Sequence, residues 1–409
     1  METEIREMLH RRAEDVDASP AIPATTLRRS RQMRIVNSVT VLAASVALCV
    51  GAVLGVGALR HDAQPIPFVE QPIEPMHRTV VRDVGAQEIA VGLGAVWLDD
   101  QSEIVRVDPA TNTVVARIPA IGQGGGFRYY FGTTGLAVGS DAVWATGTGF
   151  AETSDGAPQP ADTPTGPPEP ATAYVWSLLR IDPRSNTWVA AMPAETGSVT
   201  GTLPRGIAPI PGAVWVAGEE DLSSGRGAIY RIDTHTEEAT TIDVDGPVTG
   251  IAALDGLVWA AVDTNRKDAR RVVQIDPKTS QIVRSIVLPG TIALQGVAAA
   301  DDALWVAAIY EDSAVRVVRI DPSSGTVTDR IRVPGPVTRI VPGTGAVWIS
   351  VQDKTQLYRI DTAINELDGR LPVGGVPDAF ALDGSSLWVS VDPDSEGGPK
   401  PSRLVRFDL

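Results

Sequence analysis

The sequence predicts an all-β chain folded as a seven-bladed β-propeller with four-stranded blades, preceded by one transmembrane helix. Three observations lead to this prediction. A tryptophan motif recurs along most of the chain, strand-sized apolar patterns separate its copies, and a long uncharged segment lies near the N-terminus. Repeat periods of roughly 40–50 residues with four short strands each are typical of propeller blades.

The composition of the 409-residue chain indicates a folded protein with an acidic surface. Hydrophobic residues make up 43% and charged residues 21%, which excludes wholesale disorder. The 50 acidic and 35 basic residues give a net charge of −15. An acidic surface repels phosphate backbones, so we expect no nucleic acid partner. The single cysteine, Cys49, excludes an intrachain disulfide and a cysteine-based metal cluster.

Residues 35–59 are 25 consecutive uncharged residues and predict a transmembrane helix. A helix of this length crosses a hydrocarbon core of roughly 30 Å with some tilt. Arginines crowd its N-terminal side, so the leader at 1–34 is expected in the cytoplasm and the rest of the chain outside the cell membrane. A cleaved signal peptide is the competing interpretation. The leader is long for one, and secretory apolar regions run about 7–15 residues.

The segments on either side of the helix are interpreted as flanks. The leader carries Ile5, Met8, Leu9 and Val16 at loosely helical spacing and resembles the cytoplasmic segments of actinobacterial membrane proteins, some of them sigma-factor regulators. A signalling role for the leader is the alternative. Residues 60–77 contain four prolines and predict an extended, semi-rigid linker to a propeller domain at 78–409.

One unit repeats seven times in the predicted propeller domain. Its tryptophans are spaced 40–47 residues apart, except for one interval of 71 residues that contains an insertion. They are Trp97, Trp144, Trp215, Trp259, Trp305, Trp348 and Trp388. A hydrophobic–Asp pair follows each tryptophan, ending at Asp108, Asp182, Asp233, Asp276, Asp321, Asp361 and Asp408.

The fourth unit shows the strands most clearly. Residues 249–254, 257–262, 271–276 and 281–288 are apolar or alternate with period two, and Gly, Pro or Asp bounds them. They predict strands a to d, from the innermost to the outermost.

The two ends of the repeat region predict how the ring closes. The last unit stops before its outer strand, while a surplus strand at 79–84 precedes the first unit. Pairing the two completes the seventh blade and removes an exposed edge. This prediction places Val80 beside Arg406.

Two motifs in the unit, Gly-Ala-Val-Trp-Ile at 345–349 and Arg-Ile-Asp-Pro at 319–322, point to known propellers. In these motifs the chain resembles the YVTN-type and streptogramin-lyase-like (virginiamycin B lyase-like) families over about 330 residues. The resemblance implies the propeller fold. The lyases use a histidine with a carboxylate and Mg²⁺ near the central cavity. None of the four histidines of this chain occupies the first two positions of an innermost strand, so that activity does not carry over.

The recurring residues are interpreted as structural. Seven equivalent tryptophans on strand b predict packing between neighbouring blades rather than ligand platforms. An aspartate followed by small polar residues predicts a turn cap rather than a calcium loop. We expect no metal, no cofactor and no catalytic residues. The rim lacks a histidine for Ser–His–Asp chemistry, and the triglycine at 124–126 lacks the lysine of a phosphate-binding loop.

Departures from the repeat supply the first candidate ligand site. The connection at 122–134 contains an aromatic cluster, and the b–c insertion at 150–173 contains six prolines and predicts a polyproline-like flap. Both fall on the rim that carries the d–a and b–c connections. The cluster is expected to line a binding patch in blades 1 and 2 or, alternatively, to plug the channel mouth. It consists of Phe127, Arg128, Tyr129, Tyr130 and Phe131.

The residues that begin the innermost strands form the second candidate site. They are expected to surround the channel mouth, where they could coordinate a sugar or a peptide, or hold only water. They are Gln87, Thr134, Arg205, Thr249, Gln295, Thr338 and Asp378, with Glu88 and Arg339 one position further along. Glu88 and Asp378 could also serve as a carboxylate pair for glycoside chemistry.

These features together predict a single-pass membrane protein that presents a propeller outside the cell. The expected role is non-catalytic binding or sensing of a cell-wall, glycan, peptide or protein ligand through the rim of blades 1 and 2. Two alternatives are a metal-dependent lyase-like or hydrolase-like enzyme and a structural envelope protein.

Overall fold

The computed structural model describes the propeller region of the chain. The described residues are 71–81, 84–100, 103–119, 121–124, 127–130, 132–150, 174–193, 205–221, 225–264, 266, 268–392 and 402–409. The predicted leader, the predicted helix at 35–59 and most of the predicted linker lie outside them. Within the described ranges, no helix has the length and apolar character needed to cross a membrane.

Seven antiparallel blades follow one another along the chain, each with four strands in consecutive order except where the chain ends meet, and blade 6 carries one additional short parallel strand at its outer edge. The innermost strands are β3 (Glu88–Gly92), β9 (Gly132–Val138), β13 (Gly206–Ile210), β17 (Val248–Leu254), β21 (Thr291–Ala300), β25 (Val337–Gly343) and β29 (Val376–Asp383). The second strands are β4 (Ala95–Asp99), β10 (Val143–Phe150), β14 (Ala213–Asp221), β18 (Leu257–Val262), β22 (Ala303–Tyr310), β26 (Ala346–Val351) and β30 (Ser386–Asp392).

The outer halves of the sheets follow the same order. The third strands are β5 (Glu103–Asp108), β11 (Tyr174–Asp182), β15 (Arg226–Asp233), β19 (Arg271–Asp276), β23 (Val315–Asp321), β27 (Gln356–Asp361) and β31 (Arg403–Asp408). The outermost strands are β6 (Thr113–Pro119), β12 (Thr187–Pro193), β16 (Ala239–Val244), β20 (Gln281–Val287), β24 (Thr326–Val333), β28 (Glu366–Pro372) and, for blade 7, β2 (His77–Val81).

The seven sheets close into a ring. Each innermost strand lies beside the innermost strand of the next blade, and β29 of blade 7 lies beside β3 of blade 1. The predicted fold class, a seven-bladed β-propeller, is therefore confirmed. The strand bounds predicted for blade 4 agree with β17 to β20 to within one residue at each end.

The ring closes through β2, which pairs antiparallel with β31 and completes blade 7. This confirms the predicted closure, with a shift of one residue. Val80 lies opposite Val405, and Thr79 lies opposite Arg406. The strand also begins two residues earlier than predicted, because the main chain of Met76 already bonds to the carbonyl oxygen of Asp408 (2.8 Å).

The recurring tryptophans fill the spaces between blades, as the sequence predicts. All seven are at most 2% exposed. Trp97 of blade 1 packs with Val143 of blade 2, and Trp305 of blade 5 packs with Val347 of blade 6. These large rings supply much of the apolar area that is buried at each interface between blades.

A basic residue lies opposite the tryptophan on the third strand of six blades. In blade 1 the guanidinium carbon of Arg106 lies 5.2 Å from the centre of the Trp97 ring, a cation–π contact. The same guanidinium donates to the carbonyl oxygen of Pro183 (2.7 Å) in the turn of blade 2. Arg106 thus ties blade 1 to blade 2 on this rim, and Arg406 ties blade 7 to blade 1 in the same way through the carbonyl oxygen of Pro109.

Six of the seven recurring aspartates cap turns, as their structural interpretation predicts, and Asp408 instead accepts from the side chains of Ser386 and Arg406. Asp321 accepts hydrogen bonds from the main-chain nitrogen of Ser323 (2.8 Å) and the hydroxyl of Ser324 (2.8 Å). The hydrogen bonds from the Ser323 and Ser324 hydroxyls, with main-chain bonds added, lower the pKa of Asp321 to about 2. His235 lies exposed in the corresponding turn of blade 3.

Candidate functional site

One residue from each innermost strand lies around the channel. In every blade it is the residue that pairs, on the second strand, with the position two residues after the tryptophan. We call these the axis residues: Glu88, Gly135, Gly206, Gly250, Gly296, Arg339 and Ala379. Five of them are small because the blades approach each other here. A Cβ atom on Gly250 would lie 3.0 Å from the main-chain nitrogen of Val297 in the next blade. Only blades 1 and 6 carry long side chains at this position.

Those two long side chains form an ion pair that reaches across blade 7. Nη2 of Arg339 donates to Oε1 of Glu88 (2.7 Å), and Nη1 donates to Oε2 (2.8 Å). Nε of Arg339 also donates to the carbonyl oxygen of Asp378 (2.8 Å), and Nη2 donates to that of Gln87 (2.7 Å). One guanidinium therefore connects the innermost strands of blades 6, 7 and 1, and bidentate geometry makes such a contact strong.

The ion pair is partly shielded from solvent, since the side chains of Arg339 and Glu88 are 30% and 20% exposed. Loss of solvent lowers the pKa of Arg339, but the charge of Glu88 and the hydrogen bonds to it outweigh this effect. The pKa of Arg339 is therefore raised above its ordinary value. The guanidinium is a fixed, fully charged group.

The second strands divide the ring into a polar and an apolar half. The partners of the axis residues in blades 6, 7, 1 and 2 are the buried polar residues Ser350, Ser390, Asp99 and Thr146. The corresponding residues in blades 3, 4 and 5 are Ala217, Ala261 and Ala307. We call blades 6, 7, 1 and 2, with these four residues and the Arg339–Glu88 pair, the polar sector.

Hydrogen bonds hold the buried hydroxyls of the polar sector in place. The hydroxyl of Ser390 accepts from the main-chain nitrogen of Ala86 (2.8 Å), which joins blade 7 to the segment that enters blade 1. The hydroxyls of Ser350 and Thr338 lie 2.7 Å apart. Sequence reasoning missed this sector. The signal was present, because Trp-x-Asp, Trp-x-Thr and Trp-x-Ser occur in these four blades and Trp-x-Ala in the other three.

The residues predicted to begin the innermost strands lie at equivalent positions in their blades. Five of them are β-bulge residues without a pairing partner on the second strand, namely Thr134, Thr249, Gln295, Thr338 and Asp378. Gln87 and Arg205 immediately precede β3 and β13, and each bonds through its main-chain nitrogen to the second strand. A β-bulge turns a side chain away from the direction that it would take in a regular strand.

The structure brings together only part of the predicted site. Gln87, Glu88, Arg339 and Asp378 meet around the ion pair. Gln295 instead bonds to the main chain of the next blade, where its Oε1 accepts from the nitrogen of Val337 (3.0 Å). Arg205 is an exposed residue of blade 3, which lies outside the polar sector.

Asp378 has the most altered electrostatics of this group. Loss of solvent, followed by the negative charge of Asp392 on the adjacent strand, raises its pKa to about 6, and Arg339 only partly opposes the shift. Asp378 is still accessible to solvent at the channel mouth. It can therefore exchange a proton with solvent near neutral pH.

We expect the Asp378→Asn variant to melt at a higher temperature than the wild type at pH 8. The pKa of Asp378 is raised on folding above its unfolded value of about 3.9. Its stabilising contribution is therefore present below pH ~4 and is lost as the pH rises through its folded pKa of about 6. Thermal melts at pH 4 and pH 8 measure the effect, and the two proteins should agree at pH 4. Asp383→Asn, at the exposed end of the same strand, is the matched control. A difference of equal size at both pH values would contradict the prediction.

The predicted aromatic connection is a β-hairpin rather than a loop. β7 (Ile121–Gly124) pairs with β8 (Phe127–Tyr130), and the hairpin lies beside β10 and β12 of blade 2. A Gly-Gly pair between two short strands is a hairpin signal, so the sequence could have predicted it. The side chains of Phe127, Arg128, Tyr129 and Tyr130 are not described, and Phe131 lies outside the described residues. Their role as a binding patch remains a prediction.

The proline-rich insertion joins the second and third strands of blade 2. Phe150 at the end of β10 pairs with Tyr174 at the start of β11. The insertion therefore begins and ends at the same residue pair of the sheet. Residues 151–173, which were predicted to form the flap, lie outside the described residues. Among the side chains that the structure describes, no group of three or more His, Cys, Asp or Glu could hold a metal ion.

This geometry defines the chain as a seven-bladed β-propeller with an asymmetric channel. Similar solved structures share the fold. A chain of the hydrazine synthase of Kuenenia stuttgartiensis is 15% identical, covering 75% of this chain and 92% of its own, with a TM-score of 0.56. A chain of a mitotic checkpoint complex is 11% identical, covering 86% and 98%, with a TM-score of 0.55. The RRP9 WD40 repeats are 11% identical, covering 81% and 97%, with a TM-score of 0.52.

Likeness at these identities shows the fold alone. No protein-family model matches the sequence, and no curated protein matches it.

Proposed function

We propose that the chain is a membrane-anchored propeller, displayed outside the cell, that binds a ligand without catalysing a reaction. The propeller is a fold that often mediates binding to proteins. The uncharged segment at 35–59 and the arginines before it support the anchor and its orientation. The ligand in this proposal is a cell-wall component, a peptide or a protein.

The asymmetry of the channel carries this proposal. Packing alone would favour small axis residues in all seven blades, since the innermost strands approach closely there. It does not explain why two blades place an ion pair at this position, or why four consecutive blades bury polar side chains beside it. Ligand sites fix the orientation of a ligand with a few precisely placed polar groups. Because buried polar groups cost free energy unless they are bonded, we infer that this sector serves recognition.

The arrangement favours recognition over acid–base chemistry. Both oxygens of Glu88 already accept hydrogen bonds from Arg339. In the carboxylate pair of the hydrolase-like alternative, Glu88 would need an oxygen that is free to act on the substrate as acid, base or nucleophile. In the binding proposal, the ion pair presents a fixed charge pattern beside the solvent-accessible carboxyl group of Asp378, and it suits a ligand rich in hydrogen-bonding groups.

Binding of soluble muropeptides, which combine sugar and peptide groups, tests the proposal. The full-length protein in lipid nanodiscs is titrated with muropeptides, and affinity is measured by isothermal titration calorimetry. The double variant Glu88→Gln/Arg339→Gln removes both charges and leaves the net charge of the protein unchanged. We expect it to weaken binding at least about tenfold, because bonds to charged groups are worth about 1.5–3 kcal/mol.

The matched control is Glu103→Gln/Arg117→Gln, which removes another Glu–Arg pair of blade 1, located on its outer strands. It should leave affinity unchanged. Equal affinity for the wild type and the channel variant would show that the polar sector is not the binding site. Conversion of the muropeptides to new products, lost in the channel variant, would favour the enzyme alternative instead.

A further inference from the structure

The segment that precedes the closing strand is docked on the outside of the ring. β1 (Gln71–Pro72) pairs in parallel with β28 of blade 6, and the nitrogen of Ile73 donates to the carbonyl oxygen of Arg370 (2.8 Å). Among the seven blades as described, blade 6 is the one whose outermost strand carries a fifth strand. The sequence assigned residues 71–76 to the linker and did not predict this contact.

Blade 6 carries a glycine where this segment docks. A Cβ atom on Gly369 would lie 2.6 Å from Cδ1 and 2.8 Å from Cγ1 of Ile73, so any other residue would force the isoleucine side chain to shift. The residues that take the same place in the other six outermost strands are Thr79, Ala116, Ala190, Thr240, Arg284 and Asp329. A glycine inside a strand often marks a site where another chain segment approaches closely.

The docked segment leads directly into the closing strand. Ile73 packs against the core cluster shared by blades 6 and 7, which includes Leu371 and Phe407. Met76 then bonds to Asp408, and β2 begins at the next residue. Residues 71–76 therefore run from the edge of blade 6 to the edge of blade 7.

We propose that residues 71–76 are a strap that holds the propeller ring closed, and that Ile73 must leave Gly369 before β2 can separate from β31. The first pair of β2, His77 with Asp408, is the end of the strand at which the chain enters. Strands open most easily from their ends. The strap fixes this end, as the Arg339–Glu88 pair fixes the inner side of the same blade.

The strap also determines where the preceding chain meets the ring. A pulling force on the chain before residue 71 would therefore act first on the edge of blade 6. It would act on the closing strand only after the strap is released. This inference does not depend on the proposed ligand site.

Hydrogen–deuterium exchange of the full-length protein tests the strap. The Ile73→Ser variant removes the apolar contact without adding bulk to blade 6. We expect exchange in residues 77–81 and 404–407 to become about tenfold faster or more, while exchange in blades 3 to 5 is unchanged. Gly369→Val should have the same effect, because its side chain would occupy the place of Ile73.

The matched control is Asp329→Val, which places the same side chain at the equivalent position of blade 5, where no strap docks. It should leave exchange in residues 77–81 unchanged. The proposal is overturned if Ile73→Ser exposes residues 71–76 to exchange but leaves β2 as protected as in the wild type. It is also overturned if only Gly369→Val has an effect, because that result would reflect damage to blade 6.

Discussion

Deletion of residues 1–81 is expected to abolish the folded monomer. It removes β2, so β31 becomes an exposed edge and the core around Val81 and Leu404 opens to solvent. An unpaired apolar edge promotes aggregation. We expect loss of the monomer peak in size-exclusion chromatography and loss of a cooperative thermal transition by circular dichroism.

Deletion of residues 1–70 is the control for this experiment. It keeps both β1 and β2, so the ring and its strap remain complete. This variant should melt as the wild type does. A folded monomer with an unchanged melting temperature after deletion of residues 1–81 would contradict closure through β2.

The substitution Trp305→Ala is expected to cost about 3–5 kcal/mol in the free energy of unfolding, the range measured for buried aromatic residues. Trp305 is fully buried and packs with Ile349 of the next blade, so its loss leaves a cavity at the interface of blades 5 and 6. Urea denaturation measures the change through the midpoint and slope of the transition.

Trp188→Ala provides the matched comparison. Trp188 lies on the outer strand of blade 2, is only partly buried, and does not belong to the repeat. Its replacement should cost clearly less than that of Trp305. Equal costs would show that the recurring position has no special part in blade packing.

The repeat was predictable because its signals are local. The tryptophan spacing, the alternation of apolar residues and the Asp-containing turns each depend on residues close in sequence, and the structure agrees with all three. The closure was also predictable, because one missing strand and one surplus strand must match. Its register was wrong by one residue, since the contact that fixes it, between Met76 and Asp408, joins distant parts of the chain.

The candidate site was predictable only in part. Sequence position placed Glu88 and Arg339 at equivalent points of their blades, but not in contact, because they are 251 residues apart. The strap was missed for a different reason. β1 has two residues, too few to show a periodicity, and its docking depends on the glycine at 369.

The sequence by itself determined the number of blades, the order of their strands and the way in which the ring closes, because each unit repeats its own local pattern. Only the tertiary structure decided which axis residues meet, which half of the channel is polar, and where the chain before β2 docks. These features depend on distances between blades, and closing the ring sets those distances.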